Sequence, residues 1–222
     1  MKKYFAKAAL SLLCIFVVIV ASRWGLANVY YFKVTNKLSG YTSVSTAEIA
    51  EDSSLKNNVD LMLSLHPEHP HYLVTAGTYY EKLAFAESND KKQSEYLRQA
   101  LELYKFSVKQ RKTWPRTWAD IFRVKAKLGE FDFEFSNAVR QANFYGSKDE
   151  YVAKEIVFLM LRNWRLFSAS DITIAIKQLN NLTDYARFKN VYDYALLINE
   201  KPFFCNLVRI NNIQTKFRGC KV

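Results

Sequence analysis

Three histidines lie together in one short segment, HPEHPH, as His66, His69 and His71. Clustered imidazoles are typical of zinc and copper ligands. However, no cysteine or second acidic cluster is placed to complete a metal coordination shell, and Pro67 and Pro70 stiffen the segment. A turn between two helices explains the segment better, so we predict no metal and no other cofactor.

Asp132 and Glu134, which flank Phe133, are the candidates for paired catalytic carboxylates. Such a pair can act as general acid and general base, but residues two apart on a helix point to different faces. The chain has no glycine-rich phosphate loop, no Gly-x-Ser-x-Gly motif and no histidine beside a nucleophile. We therefore predict no catalytic residues and no enzymatic activity.

The segment 105–127 carries the strongest signal for binding, because it holds eight basic side chains and a single acid, Asp120. A surface of this charge attracts phosphate, anionic lipid or anionic polysaccharide. Trp114 and Trp118 are interleaved with it and can stack on sugars or bases. The alternative is that these are the solvated faces of two helices, whose alkyl stems cover the helix contact. The basic residues are Lys105, Lys109, Arg111, Lys112, Arg116, Arg123, Lys125 and Lys127.

The first element that could position these residues is an uncharged N-terminal run, Ala8–Ser22, between Lys7 and Arg23. A bilayer span needs about 20 residues. The two flanking cations can extend outward and lengthen the span to Tyr4–Trp24. We predict a membrane anchor with an interfacial segment over residues 1–32, and a cleaved signal peptide is the alternative.

Both alternatives export the remainder of the chain. Lys2 and Lys3 then stay inside with Lys7, as the positive-inside tendency requires. We predict a single-pass protein of a bacterial inner membrane, with a linker at 33–45 and a periplasmic helical domain at 46–222.

Cys205 and Cys220 are 15 residues apart near the C-terminus. In an oxidising compartment we expect them to form a disulfide, whereas in the cytosol they would be two unrelated thiols. Export also excludes nucleic acid as a partner of the basic segment.

Apolar residues recur at helical spacing throughout 46–222, and strand signals are scarce. The helices come in pairs about 34 residues apart, which favours tetratricopeptide-like hairpins stacked into a short all-α solenoid. The signature is only partly matched, because Phe122, Lys125 and Glu134 replace its usual residue types. We expect one repeat to be packed by Trp118, Phe122, Gly129, Phe131, Phe135 and Ala138.

Individual residues predict several helix boundaries. We expect one helix to begin at Thr46. Another begins at Pro115 and ends at Gly129, because proline suits a first turn and glycine suits a C-terminal stop. The last helix is predicted over 203–217.

Two segments carry a family resemblance: LHPEHPHYLVTAGTYYEKLAF (65–85) and RKTWPRTWADIFRVKAKLGEFDFEFSNAVRQA (111–142). Together they resemble the small VpsP-type polysaccharide-biosynthesis proteins of Gram-negative bacteria. Those proteins are similar to this chain in having a short membrane segment, a few tetratricopeptide-like helices and a C-terminal cysteine pair. The resemblance ends after residue 148. The match is carried by Trp114, Pro115, Trp118, Lys125, Ala126, Leu128, Gly129 and Glu130.

The resemblance implies a non-catalytic accessory factor in the production of exopolysaccharide or biofilm matrix. Its partners would be the inner membrane and the protein components of a polysaccharide polymerisation and export complex. The alternative function is direct binding of an anionic polysaccharide by the basic surface at 105–127.

Overall fold

The computed structural model describes residues 2–41 and 46–220, and within them it contains α-helices, two short 3₁₀ turns and no strand. The all-α prediction is confirmed. The chain divides into two compact units, Met1–Gln110 and Arg111–Val222. This division differs from the expected single domain at 46–222, because the N-terminal helix belongs to the first unit and the unit boundary falls inside the expected domain.

The first unit is built on a long N-terminal helix. The second and third helices of the unit pack against it, and the fourth helix packs against the third. A 3₁₀ turn at Thr46–Ile49 precedes the second helix. The helices are α1 (Lys2–Gly40), α2 (Ser53–Leu65), α3 (Pro70–Ala86) and α4 (Asp90–Gln110).

Helix α1 has 39 residues, about 58 Å at ~1.5 Å per residue. It contains a stretch that is long and apolar enough to cross a membrane. The predicted linker is wrong for residues 33–40, because the helix continues to Gly40 and buries Val34 and Leu38 in the core of the first unit. Residues 42–45 of that linker lie outside the described part of the chain.

Helix α2 begins seven residues later than predicted. Thr46 opens only the 3₁₀ turn. Asp52 caps α2, because its Oδ1 accepts a hydrogen bond from the backbone N–H of Leu55 at 2.9 Å. Its Oδ2 also pairs with Lys37 of α1 at 2.5 Å, so one carboxylate both starts α2 and fixes it along α1.

The described residues of the second unit, 111–220, form six helices joined by short turns, with a 3₁₀ turn at Trp164–Leu166. The consecutive pairs α5–α6, α7–α8 and α9–α10 pack together, and α7 also contacts α5 and α9. The helices are α5 (Pro115–Lys127), α6 (Phe133–Tyr145), α7 (Glu150–Asn163), α8 (Ala169–Asn180), α9 (Tyr185–Leu197) and α10 (Lys201–Ile210).

The C-terminal helix is shorter than predicted. It ends at Ile210, since Asn212 adopts a φ of 49° and the backbone N–H of Ile213 bonds back to the Val208 carbonyl at 3.0 Å. Cys205 lies within α10, and Cys220 lies in the segment that follows it. The structure joins their sulfur atoms in a disulfide.

Candidate interaction surface

The eight basic residues predicted as one surface do not share one environment. Lys105 and Lys109 belong to α4 of the first unit, where a shallow cavity of about 320 Å³ also involves Glu102 and Phe106. Lys105 Nζ pairs with Glu102 at 3.2 Å, so this site is not purely cationic. The other six residues belong to the second unit.

Acidic side chains of the same unit hold three of those six: Arg116, Arg123 and, as described below, Lys125. The Arg116 guanidinium pairs with Asp149 at 2.9 Å. Arg123 pairs with Asp120 at 2.7 Å and also donates to the Tyr151 hydroxyl. Asp120, the single acid of the predicted surface, therefore neutralises one of its cations, and Arg123 is better described as part of the packing between α5 and α7.

Lys125 is not a surface residue. Its side chain is only 2% exposed, and its Nζ lies 3.0 Å from carboxylate oxygens of Glu130, Asp132 and Glu134. Asp132 also caps α6 by accepting from the backbone N–H of Phe135 at 2.9 Å. The prediction that Lys125 belongs to a binding surface is wrong, because one buried ammonium is surrounded by three acids.

The sequence suggested that Asp132 and Glu134 point to different faces of one helix, and this is also wrong. Asp132 precedes the helix and Glu134 lies in its first turn, so both side chains reach Lys125. Burial acts to lower the pKa of Lys125, but the hydrogen bonds that Lys125 donates to Asp132, Glu134 and Glu130 outweigh it and raise that pKa. Burial also acts to raise the pKa of Asp132, but its bonds to Phe135 and Lys125 lower it overall.

What remains of the predicted surface in the second unit is the turn Arg111–Trp114, which we name the RKTW turn, together with Lys127. Arg111 and Lys112 are exposed. The Arg111 guanidinium lies 4.1 Å from the centroid of the Trp114 ring, a cation–π stack. The Trp118 indole Nε1 donates to the Lys112 carbonyl at 2.7 Å and so fixes the turn against α5.

Neighbouring residues hold the backbone of this turn in place. Trp114 is the extended N-cap residue of α5, and Pro115 supplies its first helical position. Gly146 lies against Pro115, and a Cβ added at Gly146 would come within 2.5 Å of the proline Cβ. The RKTW turn therefore presents two cations and an aromatic ring on a fixed base, which suits an acidic protein surface or an anionic polymer.

No protein-family model matches this chain, and no curated protein matches its sequence.

The residues expected to pack the repeat fall into two groups. Phe122, Phe135 and Ala138 are buried, and Phe131 contacts Phe135 with ring centroids 5.0 Å apart. Gly129 has a φ of 75° and ends α5, as its position predicted. Trp118 differs, because it is only partly buried and uses its indole N–H to hold the RKTW turn.

His66 and His69 lie in the turn between α2 and α3, where the prolines indicated a turn, and His71 lies in the first turn of α3. Their rings contact one another, with centroids 5.1 Å apart for His66–His69 and 5.6 Å for His69–His71. In the described residues, no group of three or more His, Cys, Asp or Glu side chains is arranged to hold a metal ion.

The sequence pattern did not lead us to predict the three acids around Lys125. The available signal was the segment GEFDFEF, in which Glu130, Asp132 and Glu134 alternate with phenylalanines within nine residues of Lys125. Phe135 is buried while the acids remain near the surface, but Phe133 is 79% exposed, so the alternation does not continue as a buried face along the whole segment.

Proposed function

We propose that this protein is a single-pass inner-membrane adaptor whose helical part lies in the periplasm and assembles proteins that polymerise and export an exopolysaccharide. The observation that carries the adaptor proposal is the division of α1 into two parts. Its N-terminal part exposes large apolar side chains, and its C-terminal part is a core element of the first unit. The exopolysaccharide pathway is supported only by the resemblance of residues 65–142.

The contrast along α1 is large. Leu10 and Phe16 are 61% and 63% exposed, whereas Ala27 and Val34 are fully buried. Lipid is a suitable environment for the exposed part, since such an apolar helix is costly to leave in water. The buried part connects that membrane segment directly to a folded unit.

The periplasmic orientation is supported by two features at opposite ends of the chain. Three lysines precede the apolar stretch and favour the cytoplasmic side. The Cys205–Cys220 disulfide suits an oxidising compartment.

The RKTW turn is the contact that we assign to a partner of the adaptor. Its arginine already covers the Trp114 ring at 4.1 Å, so the indole is less available to stack on a sugar. Arginine and tryptophan are also the residue types that dominate protein–protein contacts. We therefore favour an acidic protein surface over direct binding of anionic polysaccharide at this turn.

The test is a charge reversal in the full-length protein, Arg111→Glu with Lys112→Glu. The matched control is Arg162→Glu with Lys177→Glu, which changes the charge equally at two exposed positions of α7 and α8. We expect the first variant alone to lower cell-associated exopolysaccharide at unchanged protein level. A photo-crosslinker at Thr113 should be captured by a protein of the polymerisation or export machinery.

Each part of this proposal is refuted by a different result. Recovery of the protein in the soluble fraction would remove the anchor. Unchanged polysaccharide in cells that lack the protein would remove the pathway. Crosslinking of Thr113 to polysaccharide and not to protein would replace the adaptor with the polymer-binding function.

A further inference from the structure

The turn between α2 and α3, residues 66–69, which we name the histidine turn, contacts α1 at the two residues that follow its uncharged run. Arg23 Nη2 lies 3.5 Å from the backbone carbonyl of Ser64, at the end of α2. The Trp24 ring stacks on the His66 ring, with centroids 5.1 Å apart and an interplanar angle of 9°. The turn is therefore held at the level of Arg23 and Trp24.

The position of the turn along α1 follows from the direction in which α2 packs against α1. The start of α2 is fixed by Asp52 to Lys37, and its end lies at Arg23, so α2 runs back toward the apolar part of α1. The uncharged run ends at Ser22. If α1 crosses a membrane, Arg23 and Trp24 are the first residues to leave the hydrocarbon, and the histidine turn lies in the headgroup layer beside them.

We propose that Arg23, His66 and His69, with His71 beside them, bind the phosphate of an anionic phospholipid in the membrane that α1 crosses. The proposal rests on the anchoring described under Proposed function. The planar guanidinium of arginine matches a phosphate through paired N–H groups. Imidazole adds N–H donors and gains a positive charge as the pH falls.

The net charge of the turn changes with the protonation of its imidazoles. Besides Arg23, the titratable groups around it include Tyr31 of α1, Tyr72 of α3 and Glu68 within the turn. Burial, followed by the nearby Tyr31, raises the pKa of Tyr72, which keeps it neutral. Arg23 and Glu68 carry opposite charges, so each histidine that is protonated adds positive charge to the turn.

Without a ligand, His69 resists protonation. The Nδ1 atom of His69 is buried and has no hydrogen-bond partner in the described residues. Burial, then the adjacent His66 and His71, lower the pKa of His69. A bound phosphate opposes this effect by supplying a negative charge and acceptor oxygens. Proton uptake then accompanies binding, so lipid affinity must rise as the pH falls.

The composition of the chain makes this inference testable, because these three are its only histidines. We would measure lipid binding to the full-length protein in neutral detergent by native mass spectrometry. Phosphatidylglycerol and phosphatidylcholine are compared at pH 7.5 and pH 5.5. We expect phosphatidylglycerol binding to strengthen about fivefold for each histidine that becomes protonated, and phosphatidylcholine binding to stay constant.

Three variants show which residues cause the binding and its pH dependence. Substitution of all three histidines by glutamine should abolish the pH dependence, and Arg23→Gln should weaken phosphatidylglycerol binding at both pH values. Lys33→Gln removes another exposed cation of α1 and should change neither. If the triple variant fails to fold by circular dichroism, His66→Gln alone should still reduce the pH effect.

Several results would overturn the site. They are equal binding of both lipids at both pH values, a pH effect that survives the loss of all histidines, or displacement of the lipid by millimolar inorganic phosphate. Failure of the anchor is recognised separately, because the full chain would then stay soluble without detergent and would not float with vesicles.

Discussion

Replacement of Lys125 by methionine tests the charge cluster of the second unit most directly. The substitution keeps an unbranched apolar stem in a site where the side chain is 2% exposed, and it removes only the ammonium group. Three carboxylates then lose their shared partner at 3.0 Å. If Lys125 belonged only to a binding surface, its replacement would leave the stability of the fold unchanged. If Lys125 is a structural cation, its replacement lowers that stability.

The magnitude follows from the unequal burial of the partners. Hydrogen bonds to charged groups contribute about 1.5–3 kcal/mol when buried. Here the side chains of Glu130, Asp132 and Glu134 are 28%, 55% and 43% exposed, so water screens each pair. We assign about 1 kcal/mol to each, the upper end for exposed pairs, because Lys125 itself is buried and ordered. The expected loss in the free energy of unfolding is therefore about 3 kcal/mol at pH 7.

This loss must depend on pH in a defined direction. The pKa of Asp132 is lowered from its usual value of 3.8, so its contribution is present above that value and disappears as the pH falls through the folded-state pKa. The pKa of Lys125 is raised from 10.5, so its contribution is present below that value and disappears as the pH rises through the folded-state pKa. The difference between the two proteins should be constant from about pH 5 to pH 9 and should shrink in acid.

The assay is urea unfolding of the full-length protein in mild detergent, followed by tryptophan fluorescence. Three of the four tryptophans lie in the second unit, so the signal reports mainly on that unit. Lys177→Met is the control, because Lys177 is an exposed lysine of α8 and its replacement should change stability by less than about 0.5 kcal/mol. If Lys125→Met unfolds like the control, the cluster contributes nothing and Lys125 returns to the list of binding residues.

Three further substitutions test packing and covalent structure. Trp118→Phe should lose about 1 kcal/mol in the same urea assay, the value of one hydrogen bond, and a loss above about 3 kcal/mol would mean that the indole is a core residue. Gly77→Ala should lose about 1–3 kcal/mol by thermal circular dichroism, since its Cβ would lie 2.5 Å from the Tyr104 ring, and unchanged melting would refute that close contact. Cys205 and Cys220 should resist alkylation without reductant in membrane preparations, and replacing both by serine should cost about 3 kcal/mol in urea unfolding; two reactive thiols would show that the bridge does not form.

Helix boundaries were predictable where a single residue determines the backbone. Pro115 and Gly129 delimit α5 because proline fixes φ at a first turn and glycine accepts a φ of 75° at the end. Thr46 was misleading, because a hydroxyl suited to capping does not distinguish an α-helix from a 3₁₀ turn. The carboxylate that caps α2 is Asp52, which the apolar periodicity alone could not select.

The environment of a side chain was harder to predict than the helix that bears it. Lysine and tryptophan have both apolar and polar parts, so their sequence positions fit a core or a surface equally well. Lys125 is buried because three acids from the following turn and helix reach it, and Trp118 is only partly buried because its N–H donates to a loop carbonyl. Both outcomes depend on partners that the spacing of one helix does not reveal.

The missed extension of α1 has the largest consequence for function. Polar residues at 33–40 resembled a linker, yet Val34 and Leu38 lie four apart and continue the buried stripe that begins at Ala27. A flexible linker would let the first unit move freely above a membrane, whereas a helix packed along α2 and α3 fixes one end of that unit beside Arg23. Cleavage of a signal peptide after Ser22 would leave these buried residues in place. The fold of the first unit therefore does not require the anchor, whereas the proposed position of that unit at a membrane does, and this separates the two interpretations of the N-terminal segment.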